Sequence, residues 1–159
     1  MCSARAVQLI GCFLTVASPA SLTASTEPHN VAARSAALDH IAIYVADLDR
    51  SVIFYREVFG FREVPAPFPI ARWLVTGNGL MLHLVKGRSL PVDNTKWDHI
   101  AIAWGPMEET IATLDAKKIA WSDIQGRHVP QIRPDGVKQI FVRDPDGYWI
   151  EINDSLKNR

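Results

Sequence analysis

The sequence predicts an α+β fold of two tandem βαβββ modules forming a curved mixed sheet around a central cleft, and three observations carry that prediction. Leu38-Asp39-His40-Ile41-Ala42-Ile43 returns as Trp97-Asp98-His99-Ile100-Ala101-Ile102, displaced by 59 positions, and recurrence at a fixed displacement marks a repeated structural unit. Behind each copy an apolar stripe follows with i, i+4, i+7 spacing: Leu48, Val52 and Tyr55, then Met107, Ile111 and Leu114. Each copy then closes on a pair of alternating strands joined by a tight turn.

The 159 residues, 48% of them apolar, suit one domain with a single core. Seventeen basic residues balance seventeen acidic ones, so no net field recruits nucleic acid or an anionic membrane surface. A small-molecule partner is expected instead. Residues 1–24 read as a secretory leader: Arg5 is the sole charge before Glu27, Val7 to Val16 is mostly apolar, and small residues surround Pro19 and Ala20. The apolar run falls short of the roughly 20 residues that span a bilayer. Export to a periplasmic or secreted location is therefore expected, without stable membrane association after cleavage. Leu9-Ile10-Gly11-Cys12 also has the form of a lipoprotein signal, but few apolar residues precede Cys12, so lipidation is the weaker reading. Cys2 and Cys12 both lie in the leader, which leaves the cleaved chain without a thiol. Residues 25–37 show no periodicity and read as a flexible tether. The domain is placed at 38–155, with module one at 38–90 and module two at 97–155.

In module one, Leu38 to Ile43 alternates as a strand, with the isoleucines on one face and His40 and Ala42 on the other. Asp47 is a candidate N-cap and Gly60 a C-terminal stop for the helix that follows. A weak strand fits Arg62 to Val64, and stronger ones Arg72 to Thr76 and Leu80 to Val85. In module two, Trp97 to Ile102 is the first strand and Pro106 suits the first turn of the helix. A weak strand fits Ile119 to Ile124, and stronger ones Lys138 to Arg143 and Tyr148 to Asn153. Tyr55 and Leu114 lie on the helix stripes and are assigned to the core. Asp144-Pro145-Asp146-Gly147 is assigned to turn chemistry rather than catalysis.

Aligning the closing strands sets Leu82 on Ile150, Leu84 on Ile152 and His83 on Glu151. Period-two alternation then puts His83 and Glu151 on equivalent faces, so each module offers two metal-capable side chains at equivalent positions. His40, His83, His99 and Glu151 form a set of three imidazoles and one carboxylate, which suits a divalent ion such as Zn, Ni, Co, Mn or Fe(II). A substrate with two adjacent oxygens could chelate the ion, whose Lewis acidity would stabilise an enediolate. Taken singly, each histidine also fits a hydrogen-bonded structural role, and the repeat equivalence is what favours the metal. His29 and His128 receive no role.

His40-Ile41-Ala42-Ile43, Phe54-Tyr55, Phe59-Gly60-Phe61 and Asp144-Pro145-Asp146-Gly147-Tyr148-Trp149-Ile150-Glu151 together resemble the glyoxalase/bleomycin-resistance/extradiol-dioxygenase superfamily of vicinal-oxygen-chelate proteins, over Leu38 to about Asp154. The resemblance implies metal ligands on the first and last strand of each module, which are again His40, His83, His99 and Glu151. It also implies a homodimer in which modules are shared across subunits. The implied activity is a glyoxalase-I-like lyase or isomerase (lactoylglutathione lyase type), with Glu151 as catalytic base. Thiol transfer, ring cleavage or non-catalytic drug binding are alternatives on the same fold. His83 stands where glyoxalase I has a glutamate. Tyr44 and Gly87 stand where its glutathione-gripping arginine and asparagine are expected, so glutathione hemithioacetal is expected to be a poor substrate. Arg72, Arg133 and Lys138 are candidates for gripping an anionic substrate and Trp73, Trp104 and Trp149 for walling a pocket, with surface charge and core packing as the alternatives.

Overall fold

The computed structural model describes residues 36–158, with the side chains of Lys157 and Asn158 left aside. The expected leader, and the tether up to residue 35, lie outside the described residues. Module one runs β1 (His40–Val45), α1 (Leu48–Phe59), β2 (Arg62–Val64), β3 (Ala71–Val75) and β4 (Met81–Lys86). Module two runs β5 (His99–Ala103), α2 (Met107–Ala116), β6 (Trp121–Ser122), β7 (Gln131–Ile132), β8 (Lys138–Arg143) and β9 (Trp149–Asn153), and a short 3-10 turn follows at Ser155–Asn158.

Each module closes its own mixed sheet, in the order β1-β4-β3-β2 and β5-β9-β8-β6, with β7 added alongside β8. The first strand pairs parallel with the last in both modules, and the other pairings are antiparallel. Because a parallel neighbour needs a crossover, the helix lies between the first strand and the rest, and β1 and β5 become sheet edges. The two sheets share no hydrogen-bonded strands among the described residues. The expected tandem βαβββ modules are present, each with its own sheet. Module two departs from the expected pattern in its middle. The strand expected over 119–124 stops at Ser122, because the Asp123 carboxylate takes the Arg127 backbone N–H at 2.8 Å and turns the chain. Beyond it, Arg133-Pro134-Asp135-Gly136 makes a turn that returns β7 onto β8.

Helix α1 is bounded as its sequence requires. The Asp47 side chain accepts from the Arg50 N–H at 3.0 Å, and Gly60 adopts φ 69°, from which its N–H and that of Phe61 reach back to the Arg56 and Tyr55 carbonyls. Helix α2 has no side-chain cap at its start, and two residues past its end Lys118 adopts φ 56°, a left-handed conformation unfavourable for a side-chain-bearing residue. Both helices bury their stripes. Val52, Tyr55, Met107 and Leu114 join Ile43, Val45, Leu74, Leu82 and Leu84 of one sheet and Ile140, Val142, Ile150 and Ile152 of the other in one continuous core.

Two carboxylates bind the modules to each other. Asp146, in the turn before β9, is buried and reaches the start of α1: Oδ1 accepts from the Ala46 N–H at 2.9 Å and from Arg50 Nη2 at 3.2 Å, and Oδ2 accepts from Ser51 Oγ at 3.1 Å. Its neighbour Asp144 accepts from the Tyr55 hydroxyl at 2.9 Å and, through Oδ1, from the N–H groups of Asp146 and Tyr148. Asp144-Pro145-Asp146-Gly147 is a turn, as expected, and its two carboxylates also anchor the other module's helix.

Removing Asp146 would leave the buried Ser51 hydroxyl, and the Ala46 N–H just ahead of α1, without their acceptors. Charge-assisted hydrogen bonds contribute about 1.5–3 kcal/mol each when both partners are present. Asp146→Ala is accordingly expected to lower stability by about 3 kcal/mol in urea unfolding. Burial pushes the Asp144 carboxyl above its ordinary value, and the donations from Tyr148, Tyr55 and Asp146 offset only part of that. A carboxyl raised in the folded state stabilises most below its unfolded pKa of about 3.9, and that contribution is lost as pH rises through the folded value. Asp144→Asn, uncharged at every pH, should therefore close the gap in stability to the parent protein as pH is raised from about 4 to 7. Paired unfolding curves across that range check the slope.

Candidate metal centre

Strand parity decides which side chains meet. On β1 and β4, Ile41, Ile43, Leu82 and Leu84 face the helices, so His40 and His83 share the opposite face. Their rings stack with centroids 4.1 Å apart, and Trp73 of β3, the register neighbour of His83, stacks on its other side at 4.2 Å. Ala42 lies opposite His83 in the register, and its methyl leaves the imidazole uncrowded. His83 is buried, and its Nε2 has no hydrogen-bond partner. Burial, and next the neighbouring His40, push its pKa below the ordinary histidine value, which favours the neutral imidazole that a metal needs. His40 has its Nδ1 against Asp39 Oδ2 at 2.7 Å. An Nδ1–H donated there leaves Nε2 as the free lone pair, the arrangement typical of a ligating histidine oriented by a carboxylate.

The second pair repeats this plan. His99 on β5 and Glu151 on β9 share the face opposite Ile100 and Ile152, with Ala101 standing opposite Glu151. His99 Nδ1 is held by the Lys96 carbonyl at 2.6 Å, which again leaves Nε2 free to turn to its neighbour, 3.2 Å from Glu151 Oε2. The buried Glu151 has its other oxygen, Oε1, fixed by Asn153 Nδ2 at 2.7 Å. Phe141 of β8 packs edge-on to the His99 ring at 5.4 Å.

The chemistry of these donors, together with an orphaned buried nitrogen, fits a divalent metal. The four residues nevertheless form two half-sites: among the described residues no group of three His, Cys, Asp or Glu side chains converges on one point. Each half-site spans an edge strand and its inner neighbour, β1 with β4 and β5 with β9, and beside it Ala42, Tyr44 and Ala101 of the edge strands are exposed.

Of the six residues expected to contact substrate, Trp73 and Trp149 share a face with the ligand-type side chains, Trp73 beside His83 and Trp149 beside His99. Arg72 and Lys138 have the parity of Leu74 and Ile140 and so project on the helix side. Arg72 is paired there with Glu63 and Asp49, and Lys138 with Glu108. The Glu63 partner raises the Arg72 pKa, and Glu108 raises that of Lys138, so both cations are already matched. Arg133 pairs with Asp135 in the β7–β8 turn. Trp104 lines an apolar cavity of about 550 Å³ between the modules, with Ile41, Phe59, Phe61, Leu82 and Ile102, and none of the four ligand-type residues borders it. Trp149 lines a separate groove with Phe141 and Trp121. Asp39, Asn153 and Lys96 escaped the sequence reading. The first had a signal, since an aspartate precedes the histidine in both repeats.

The model of the Glyoxalase/Bleomycin resistance protein/Dioxygenase superfamily matches residues 37–152. The chain belongs to that superfamily. Among its relatives, a probable lactoylglutathione lyase of Vibrio parahaemolyticus is 29% identical over 71% of this chain and 86% of its own. The metallothiol transferase FosB of Shouchella clausii is 26% identical over 73% of this chain and 78% of its own. In the same superfamily fold, the crystal structure of a mutant of the fosfomycin resistance protein FosX of Listeria monocytogenes, complexed with Mn(II) and 1S,2S-dihydroxypropylphosphonic acid, overlays with TM-score 0.60 at 20% identity, over 74% of this chain and 91% of its own.

A buried nitrogen without a partner costs about 1–3 kcal/mol, so the metal-free fold gains nothing from the polarity of His83. In the presence of chelator, His83→Met is expected to leave the melting temperature unchanged or raise it. Thermal unfolding by circular dichroism reads the outcome.

Proposed function

We propose that the protein is a metal-dependent enzyme of the glyoxalase I type, a lyase or isomerase acting on a small substrate with vicinal oxygens. In this reading His40 and His83 of one copy, with His99 and Glu151 of a second copy, hold one divalent ion, and a homodimer carries two such sites. The observation that carries the proposal is the orphaned Nε2 of His83 beside His40 on an exposed sheet edge, with a complementary histidine and carboxylate on the equivalent edge of module two. The manganese in the FosX structure of the same fold supports a metal of this kind.

A bound divalent ion would supply Lewis acidity toward two adjacent substrate oxygens. The chain's own residues supply the rest. Asn153 fixes Glu151 Oε1, which leaves Oε2 as the oxygen able to take a proton from a substrate carbon and return it. Asp39 and the Lys96 carbonyl hold the two Nδ1 atoms, so neither imidazole rotates away from its task. Trp73 covers His83 and excludes water from it. The likeness to the metallothiol transferase favours a second reading, thiol transfer, on the same residues. Export of the chain, which rests on residues 1–24, belongs to the same proposal; a mature start between Ser21 and Ser25 in N-terminal sequencing would support it.

The shared site has a specific test. His40→Ala and His99→Ala homodimers should each bind no stoichiometric metal, because every site lacks one ligand. After subunit exchange between the two variants, half the dimers are mixed and each mixed dimer regains one intact site. Elemental analysis should then show about a quarter of the parent's metal capacity, whereas a site built within one chain would recover none.

Glutathione hemithioacetal is expected to turn over poorly. The Tyr44 ring lies against Gly87, 3.0 Å from where a Cβ would sit, and so fills the space that an asparagine at Gly87 would need. Tyrosine cannot offer a carboxylate the bidentate fork of arginine, and loss of such a contact weakens affinity by about one to two powers of ten. Steady-state turnover of methylglyoxal with glutathione at rates of a dedicated glyoxalase would contradict this.

A further inference from the structure

Basic side chains around the two sheets are largely matched to carboxylates: Arg50 to Asp146, Arg72 to Glu63, Arg127 to Asp123 and Lys138 to Glu108. Lys96 forms no ion pair among the described residues. Its ammonium donates to two neutral acceptors, Ser122 Oγ at 2.8 Å and the Asp123 carbonyl oxygen at 2.6 Å. It also lies over the Trp149 ring at 4.9 Å and is 5.9 Å from the centre of Phe141. An ammonium carries three donors, and two are accounted for. The Asp123 carboxylate is turned to Arg127, whose backbone N–H and Nε it accepts at 2.8 and 2.6 Å.

Arg143 flanks the same indole. Its guanidinium stacks 4.1 Å from the Trp149 ring centre, and Nη1 donates to the carbonyls of Gly147 at 2.8 Å and Val92 at 3.4 Å, again neutral acceptors. Two cations without an ion-pair partner among the described residues thus lie against one indole ring. A groove of about 550 Å³ opens here, lined by Ser122, Phe141, Arg143 and Trp149 and also by Asp144, whose carboxylate is taken up by Tyr55 and the Asp146 and Tyr148 N–H groups; Lys96 reaches the groove's wall through Ser122. It adjoins the second half-site: Trp149 is the register partner of His99, and Phe141 that of Glu151. Burial lowers the Lys96 pKa, which Asp123 only partly opposes, as expected for a cation short of negative charge.

We propose that this groove is a binding subsite for a planar aromatic or conjugated monocarboxylate, with the carboxylate on Lys96 and Arg143 and the ring against Phe141 and Trp149. The subsite names the substrate class of the active site proposed above and takes its catalytic meaning from that reading, whereas its affinity for the carboxylate needs no metal. An anion placed there exchanges water for two charge-assisted contacts, and an uncharged amide of the same shape cannot.

The test is a titration of the full-length protein by tryptophan fluorescence with 2-naphthoate and 2-naphthamide, in metal-loaded and chelator-treated samples. Naphthoate should bind at least tenfold tighter than the amide in both samples. Lys96→Met should remove that preference, Lys96→Arg should keep it, and Arg143→Gln should reduce it, with circular dichroism confirming that each variant is folded. Equal affinity for acid and amide in the parent protein would overturn the subsite, as would a preference that survives in Lys96→Met. A preference that survives Lys96→Met but disappears with chelator would assign the carboxylate to the metal, overturning the subsite and leaving the metal reading intact. A Lys96-dependent preference in protein that binds no metal would support the subsite and count against the metal reading.

Discussion

Asp146 is the contact on which the arrangement of the two modules depends. A turn residue of module two supplies the acceptors for the Ala46 N–H just ahead of α1 and for the Arg50 and Ser51 side chains at its start, so that helix end is tied to the other module. The aspartate at Asp47 caps α1 from within its own module, and Asp146 adds a second carboxylate at the same positive helix end, where negative charge is favoured. Asp144 extends the connection into the core through the Tyr55 hydroxyl. Next to it the Tyr148 hydroxyl donates to the Tyr44 carbonyl at 3.1 Å while Arg88 bridges Tyr44 and Tyr148. The bonds to Ala46 and to the Tyr44 carbonyl join the start of β9 to the end of β1, so the strand carrying Glu151 is fixed relative to the strand carrying His40.

With the modules fixed in this way, alternation along each strand divides the chemistry. The isoleucines and leucines of β1, β4, β5 and β9 face the helices and form one core, and the outer faces carry the polar set. Polar groups on those faces are satisfied with one exception. Glu151, although buried, has Asn153 and His99 as neighbours, and the Nδ1 atoms of His40 and His99 are held. His83 Nε2 is buried with nothing to bind, between two aromatic rings. Folding alone has no use for a nitrogen there, since a leucine or methionine would fill the space without a desolvated polar atom. A ligand of the kind proposed would give the imidazole a use at that point.

The repeat made most of this legible before any coordinates. His40 with His99, and His83 with Glu151, were paired by register alone, because a two-residue period leaves no freedom about which side chains share a face. Asp47 and Gly60 announced the ends of α1 through capping chemistry that is local to the chain. What could not be read was whatever depends on the distance between the modules. Asp144 and Asp146 carry a local turn signal that hides their long-range role, since nothing in Pro145 and Gly147 says which helix the carboxylates will meet. Arg72 and Lys138 were singled out for their charge, yet the same alternation that located His83 places them on the helix side, as their odd or even spacing from Trp73 and Phe141 already implied. The β7 hairpin had its signal in Arg133-Pro134-Asp135-Gly136. Lys96 sits in a connection without periodicity, where sequence offers no face to assign.

The unequal chemistry of the two half-sites bears on how copies would combine. Module one offers two imidazoles, and module two an imidazole and a carboxylate. Pairing module one with module one would gather four neutral donors and leave the full double charge of a divalent ion unbalanced. Pairing module two with module two would bring two buried carboxylates together, each depressing the ionisation of the other. Pairing unlike modules gives three imidazoles and one carboxylate, a net charge of about +1 with the ion in place, and a twofold axis then generates two identical sites. The edge strands β1 and β5 are the elements left unpaired on one side, and they are the strands that carry His40 and His99. An exposed edge is a template for association that proteins usually blunt with charge or proline. Here the outward side chains of β1 are His40, Ala42 and Tyr44, with no charge of fixed sign among them, so nothing of that kind would oppose the association proposed above.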